Sequence, residues 1–178
     1  MTGQSVSLFS PNVYTYLWDT QVDRSTIRNQ IVTSFSNQLT DAEKNNILDL
    51  NQLPKSKNLF FSISHSPVGS GFVAYNKPIG FDIEKTKRTQ KQSLINRIST
   101  AKEQKLLGDK YFLIWNLKEA AFKRLSQEFV NLKTVSEIYI EQVDTNGTQE
   151  LKAHLVYNNI KVLGLCKWSN GQTFCVAL

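Results

Sequence analysis

The sequence predicts an α+β fold with largely antiparallel sheets, and three features of its 178 residues carry that prediction. Its segments read strand, helix, strands, helices, strands, without the strict alternation of a parallel α/β chain. Two T-x-x-E capping boxes, Thr40/Glu43 and Thr100/Glu103, mark helix starts. An Asn146-Gly147 step between two β-rich stretches marks a tight hairpin.

Residues 6–18 hold Val6, Leu8, Val13, Tyr14, Tyr16 and Trp18 and read as one or two strands. Ile27, Ile31, Phe35 and Leu39 recur every four residues, which predicts one helical face. The first capping box starts a short helix carrying Ile47, Leu48 and Leu50. Residues 59–65 read as a strand that Pro67, Gly69 and Gly71 break. Phe72 to Tyr75 and Ile79 to Glu84 are two more strands, joined by a turn at Lys77-Pro78. Leu94, Ile95 and Ile98 suggest a helix, and the second capping box starts another that Gly108 stops. Residues 110–126 form the clearest helix, with Phe112, Trp115, Phe122 and Leu125 giving a broad apolar face. The tail reads as strands at 135–143, 151–157, 160–168 and 173–178.

Apolar residues make up 40% and charged residues 20%, which excludes a disordered chain. No run reaches the length of a membrane span, and no basic-then-apolar signal pattern opens the chain. Two cysteines, Cys166 and Cys175, are too few for a secreted disulfide scaffold. The expectation is a soluble cytoplasmic protein with reduced thiols. Twenty-one Lys and Arg against fifteen Asp and Glu give a net charge of +6, which favours an anionic partner. The densest basic cluster is Lys85, Lys87, Arg88 and Lys91, which read alone is a solvated loop. No basic helix or aromatic–basic strand supports nucleic-acid binding.

Three segments carry chemistry. Asp82 and Glu84 stand two apart on a strand, so both carboxylates leave one face. They are either ordinary strand acids or oxygen ligands for a hard cation, Mg²⁺ first. Gly80, two residues earlier, lets another backbone come close. Glu119 and Lys123 share a helix face at i, i+4, either as a surface ion pair or as part of a site. Lys118 points about 100° away from that stripe. His65 is either a structural hydrogen-bonder or, with Ser64 and Ser66, a donor cradle for phosphate. Taken together, the segments suit a metal-bound pyrophosphate.

The segments S-I-S-H-S (62–66), G-F-D-I-E (80–84) and W-N-L-K-E-A-A-F-K (115–123) resemble, in order and spacing, the three signature motifs of the 4'-phosphopantetheinyl transferases of the surfactin-synthetase-activating type. Glu103 also matches a family acid. The resemblance covers about residues 54–134. It implies a pseudo-twofold fold of two similar α+β halves, an N-terminal half at 1–77 and a C-terminal half at 78–178 carrying the metal and catalytic motifs. The implied reaction moves 4'-phosphopantetheine from coenzyme A to a serine of an acyl or peptidyl carrier protein and releases 3',5'-ADP.

By resemblance, Asp82, Glu84 and Glu119 are the Mg²⁺ ligands. Ser64 and His65 contact the coenzyme A phosphates. Lys123 binds the pyrophosphate or 3',5'-ADP end, Lys118 assists, and Lys55 matches a basic residue near the nucleotide. Asp82, Glu119 and Lys123 form the catalytic set. The carrier serine needs a proton acceptor, for which Glu119 and a metal-bound hydroxide are the candidates. The basic surface suits an acidic carrier of fatty-acid, polyketide or nonribosomal-peptide synthesis. A monomer is expected, since both halves lie in one chain. A non-catalytic relative that binds coenzyme A or a carrier is the alternative, and a nucleic-acid-binding module a distant one. Four departures from the family pattern stand out. Ser62 replaces Asn, Phe81 replaces a smaller β-branched residue, Asn116 replaces Ser or Thr, and Arg124-Leu125-Ser126 replaces a glycine-rich stretch.

Other short motifs have plainer readings. Cys175 to Leu178 is a nominal prenylation box inside an apolar strand. Asn146-Gly147-Thr148 is a glycosylation sequon only in a secreted protein. Gly69-Ser70-Gly71 lacks the third glycine of a dinucleotide loop, and His154 lies among strand residues.

Overall fold

Two antiparallel sheets lie face to face, each covered on its outer side by helices. The computed structural model describes residues 3–9, 12–86, 92–145 and 149–178. The first sheet has the order β1(Gln4–Val6), β2(Tyr14–Trp18), β4(Gly69–Tyr75), β3(Phe60–Ser66). The second has the order β5(Gly80–Lys85), β9(Gln172–Ala177), β8(Ile160–Ser169), β7(Glu150–Tyr157), β6(Tyr139–Thr145). The first sheet therefore lies wholly before residue 78 and the second wholly after it. The outcome is α+β in two halves.

Strand alternation sorts the side chains into three cores. Trp18, Phe61, Phe72 and Ala74 leave the first sheet toward α1(Arg24–Ser34) and α2(Asp41–Leu48), where Ile27, Ile31 and Ile47 are fully buried. Leu17 and Val73, on the opposite face, meet Phe81, Ile83, Phe174 and Val176 of the second sheet. Beyond that sheet lie α3(Gln92–Ile98), α4(Ala101–Leu107) and α5(Leu113–Leu125), which bury Ile95, Leu107, Leu113 and Leu117 against Leu151, Ala153 and Leu155. Phe81, large for its place in the motif, is fully buried in the middle core.

Both capping boxes close as the sequence predicts, with the Thr hydroxyl and the Glu carboxylate bonded reciprocally. Gly108 ends α4 at φ +53°, a conformation that favours glycine. Other expectations need correction. α1 stops at Ser34, so Phe35 and Leu39 are buried in the turn that follows it. Gly69 and Gly71 do not break the chain but lie inside β4, where a Cβ on Gly71 would come within 2.7 Å of the Tyr16 carbonyl on β2. The apolar face of α5 is also different. Leu113, Ile114, Leu117, Ala120, Ala121 and Leu125 are buried, while Trp115 and Phe122 are only half-buried.

Cys166 and Cys175 are not free thiols. The β8–β9 register sets them directly opposite, with Cα atoms 4.2 Å apart, and a disulfide joins them. Composition could not reveal that pairing, because it depends on strand register. Cys175 lies in the buried run of β9, and His154 is a half-buried residue of β7. Lys87, Arg88 and Lys91 of the basic cluster lie outside the described residues, as does the Asn146-Gly147-Thr148 segment. No described helix is long and apolar enough to cross a membrane.

Candidate functional site

The edge strands of the two sheets, β3 and β5, meet at a seam, and a cleft of about 670 Å³ opens beside it. Ser62, Ser64 and His65 line it from β3, Asp82 and Glu84 from β5, and Trp115, Glu119 and Lys123 from α5. Segments nearly 60 residues apart in sequence thus share one wall.

Gly80 explains how α5 comes so close. A Cβ there would lie 1.8 Å from the Ala120 carbonyl oxygen and 2.6 Å from the Arg124 nitrogen. Only hydrogen at this position lets the helix backbone press on the strand. Ala120 and Ala121 keep the helix side of that contact small. Glu119 and Lys123, one turn apart, are thereby held over Asp82.

Asp82 is the hub. Its carboxylate accepts Lys123 Nζ at 2.8 Å and the Ser64 hydroxyl at 3.0 Å on one oxygen, and Asn116 Nδ2 at 3.2 Å on the other. Burial pushes its pKa up, and the Lys123 charge and the hydrogen bonds pull against that. Lys123 also donates to the Phe81 carbonyl at 3.0 Å and to Ser64 Oγ at 3.3 Å. Burial also raises the Glu119 carboxyl, helped by the negative charges of Asp82 and Glu84 and opposed by Lys123. Three acids on one cleft, with Asp82 and Glu119 raised by burial, make a place where positive charge is favoured.

Arg24, Lys55 and His65 line the same cleft and supply the opposite character. Burial, then the charges of Arg24 and Lys123, hold the His65 imidazole below its usual pKa. Arg24 and Arg28 escaped the sequence reading. Their i, i+4 spacing on α1 was the available signal, but nothing local ties that helix to the later motifs. Arg28 braces the wall, its guanidinium donating to the carbonyls of Ile47 (2.7 Å) in the last turn of α2 and of Asp49 (2.5 Å) and Gln52 (2.5 Å) just beyond it. Asn116 was noted only as a departure, yet it supports Asp82 directly.

Lys118 does not join this group. It points into the second half, is fully buried, and pairs with Glu103 at 2.6 Å. Its ammonium also donates to the Ile98 carbonyl at 2.5 Å. The 100° step along α5 that separates Lys118 from the Glu119 stripe puts it on the core side.

Asp82, Glu84 and Glu119 are a hard-oxygen donor set on one cleft, which fits a divalent cation in chemistry. Among the described residues no three such groups form a ready-made metal cluster. Lys123 instead holds the inner oxygen of Asp82.

A family model for the 4'-phosphopantetheinyl transferase superfamily matches residues 78–171, more than half of the chain. A search of curated proteins found no match. The chain belongs to the 4'-phosphopantetheinyl transferase superfamily.

Proposed function

We propose that this protein transfers 4'-phosphopantetheine from coenzyme A to a serine hydroxyl of an acyl or peptidyl carrier protein, with Mg²⁺, releasing 3',5'-ADP. One observation carries the reading: residues of all three motifs, Ser64 and His65, Asp82 and Glu84, Glu119 and Lys123, line a single cleft that holds both acidic and basic groups. Such a cleft suits a substrate whose pyrophosphate needs both cations and a metal. The proposed halves are 1–77 and 78–178, with the cleft at their seam.

Arg24, Lys55 and His65 face the phosphates from the N-terminal half, and Lys123 from the C-terminal half. A neutral His65 still donates one N–H. Mg²⁺ would be held by Asp82, Glu84 and Glu119, and when bound it would neutralise charge on the pyrophosphate oxygens. Glu119 borders the cleft beside Asp82 and Lys123 and takes the proton of the carrier serine. The serine oxygen attacks the phosphorus that bears the pantetheine arm, and the bond to the 3',5'-ADP oxygen breaks. Lys123 remains beside that oxygen as charge develops. The basic net charge speeds encounter with an acidic carrier. The protein is proposed to act as a monomer.

The test is intact mass of apo carriers incubated with the protein, coenzyme A and Mg²⁺, using one fatty-acid carrier and one peptidyl carrier. A gain of about 340 Da, the mass of the transferred group, is expected on at least one. No gain on either, with coenzyme A still bound, favours the non-catalytic alternative.

A further inference from the structure

Family resemblance places Ser64 among the groups that touch phosphate, but its hydroxyl is already fully engaged. A hydroxyl has one proton to give and two lone pairs. Ser64 Oγ donates to Asp82 (3.0 Å) and accepts the Ile83 N–H (3.2 Å) and Lys123 Nζ (3.3 Å). The residue is only 4% exposed. Two positions earlier, Ser62 Oγ accepts the Phe81 N–H at 2.9 Å and is equally buried.

The reason lies in the topology. Among the described residues β5 pairs with β9 along one edge only. On the other edge the N–H groups of Phe81 and Ile83 point at β3 inside the protein, where an unpaired donor is costly. β3 does not continue the sheet there. It turns Ser62 and Ser64 toward β5, and their hydroxyls replace the carbonyls of a missing neighbour strand. Phe61 and Ile63 face the other way, into the α1 side. Asparagine, the usual family residue at position 62, is replaced by the hydroxyl that completes this ladder.

We infer that Ser62 and Ser64 are positioning residues: a two-hydroxyl seam that fixes β5 and aims Asp82 into the cleft, with the Ser64 hydroxyl holding Asp82 rather than a substrate phosphate. The kinetic consequences rest on the transferase reading, but the hydrogen bonds and the ligand affinity do not.

The test uses the full chain with Ser64→Ala and Ser62→Ala, and reads three quantities. Amide hydrogen exchange reports the Phe81 and Ile83 N–H groups. Calorimetry in EDTA reports coenzyme A affinity. Steady-state transfer reports the Mg²⁺ requirement, kcat, and KM for coenzyme A. In Ser64→Ala, exchange at Ile83 should rise about tenfold while coenzyme A affinity stays within about twofold of wild type. The Mg²⁺ requirement should rise and kcat fall about tenfold, with KM for coenzyme A nearly unchanged. An affinity loss of about tenfold with Ile83 exchange unchanged would mark Ser64 as a direct phosphate ligand and overturn the inference. Ser62→Ala does not touch Asp82 and decides the matter if Ser64→Ala fails to fold. Faster exchange confined to Phe81, with coenzyme A affinity kept, supports the seam, and unchanged exchange contradicts it. If wild type itself modifies no carrier, the transferase reading fails, while exchange and calorimetry still decide the role of the serines.

Discussion

Helix α5 carries two lysines five residues apart, and each pairs with a buried carboxylate, yet the two pairs do opposite work. Lys118 and Glu103 are closed off, with side chains 1% and 2% exposed. Glu103 accepts the Thr100 N–H and hydroxyl on one oxygen, and Lys118 and the Ile140 N–H on the other. Lys118 has no room for a ligand. Lys123 and Asp82 sit at the cleft, and 28% of the Lys123 side chain is exposed. Burial draws the Lys118 pKa down and Glu103 restores part of it, so that pair is a fixed strut. At the open pair, Asp82 and Glu119 are raised by burial in a place a ligand can reach. A lysine–carboxylate pair thus gives a buried frame on one side of the helix and a pair open to the cleft on the other.

The largest expected effect breaks the closed pair. Glu103→Ala leaves the buried Lys118 ammonium without its counter-charge and the Ile140 N–H without its acceptor, and should cost about 3–5 kcal/mol of stability. Urea denaturation checks this, and a loss below about 1 kcal/mol would show that the strut is dispensable. Lys123→Ala opens the other pair. Transfer should fall about a hundredfold, while stability falls less than in Glu103→Ala because Asp82 borders the cleft and can take up a proton. Kinetics with coenzyme A and carrier varied separately check the role. A rise confined to the carrier KM would reassign Lys123.

The smallest effect lies far from α5. The Lys57 N–H, then the Thr40 N–H and hydroxyl, hold Glu43 down to about 2 from the ordinary 4.5. A depressed carboxylate stabilises the fold above its unfolded pKa and loses that contribution as pH falls through the folded one. Glu43→Gln should therefore be slightly less stable than wild type at pH 7, and the gap should close between pH 4.5 and about 2. A constant gap across that window would exclude the ionised capping box as its source.

Local signals in the sequence were the readable ones. The capping boxes placed α2 and α4, the spacing of Asp82 and Glu84 placed both on the cleft strand, and Gly80 announced a close approach that proved to be the α5 backbone. What depended on the opposing surface was not readable. The apolar face of α5 was assigned to its aromatics, but the contact with β5 needed alanines, so the buried side rotated and took Lys118 with it. Arg24 reaches the cleft only through the packing of α1, and the cysteine pair exists only through the β8–β9 register. Ser64 reads, with Ser66, as a ligand donor because a sequence does not show which edge of a neighbouring strand lacks a partner.

The most direct test of the contrast is the single-turnover transfer rate per folded molecule in wild type, Glu103→Ala and Asp82→Ala, with folded fractions measured in parallel. The account predicts that Glu103→Ala keeps the wild-type rate within about twofold once unfolded protein is discounted, while Asp82→Ala falls by about a hundredfold or more with its fold retained. A wild-type rate in Asp82→Ala would contradict the claim that the open pair is the reactive centre.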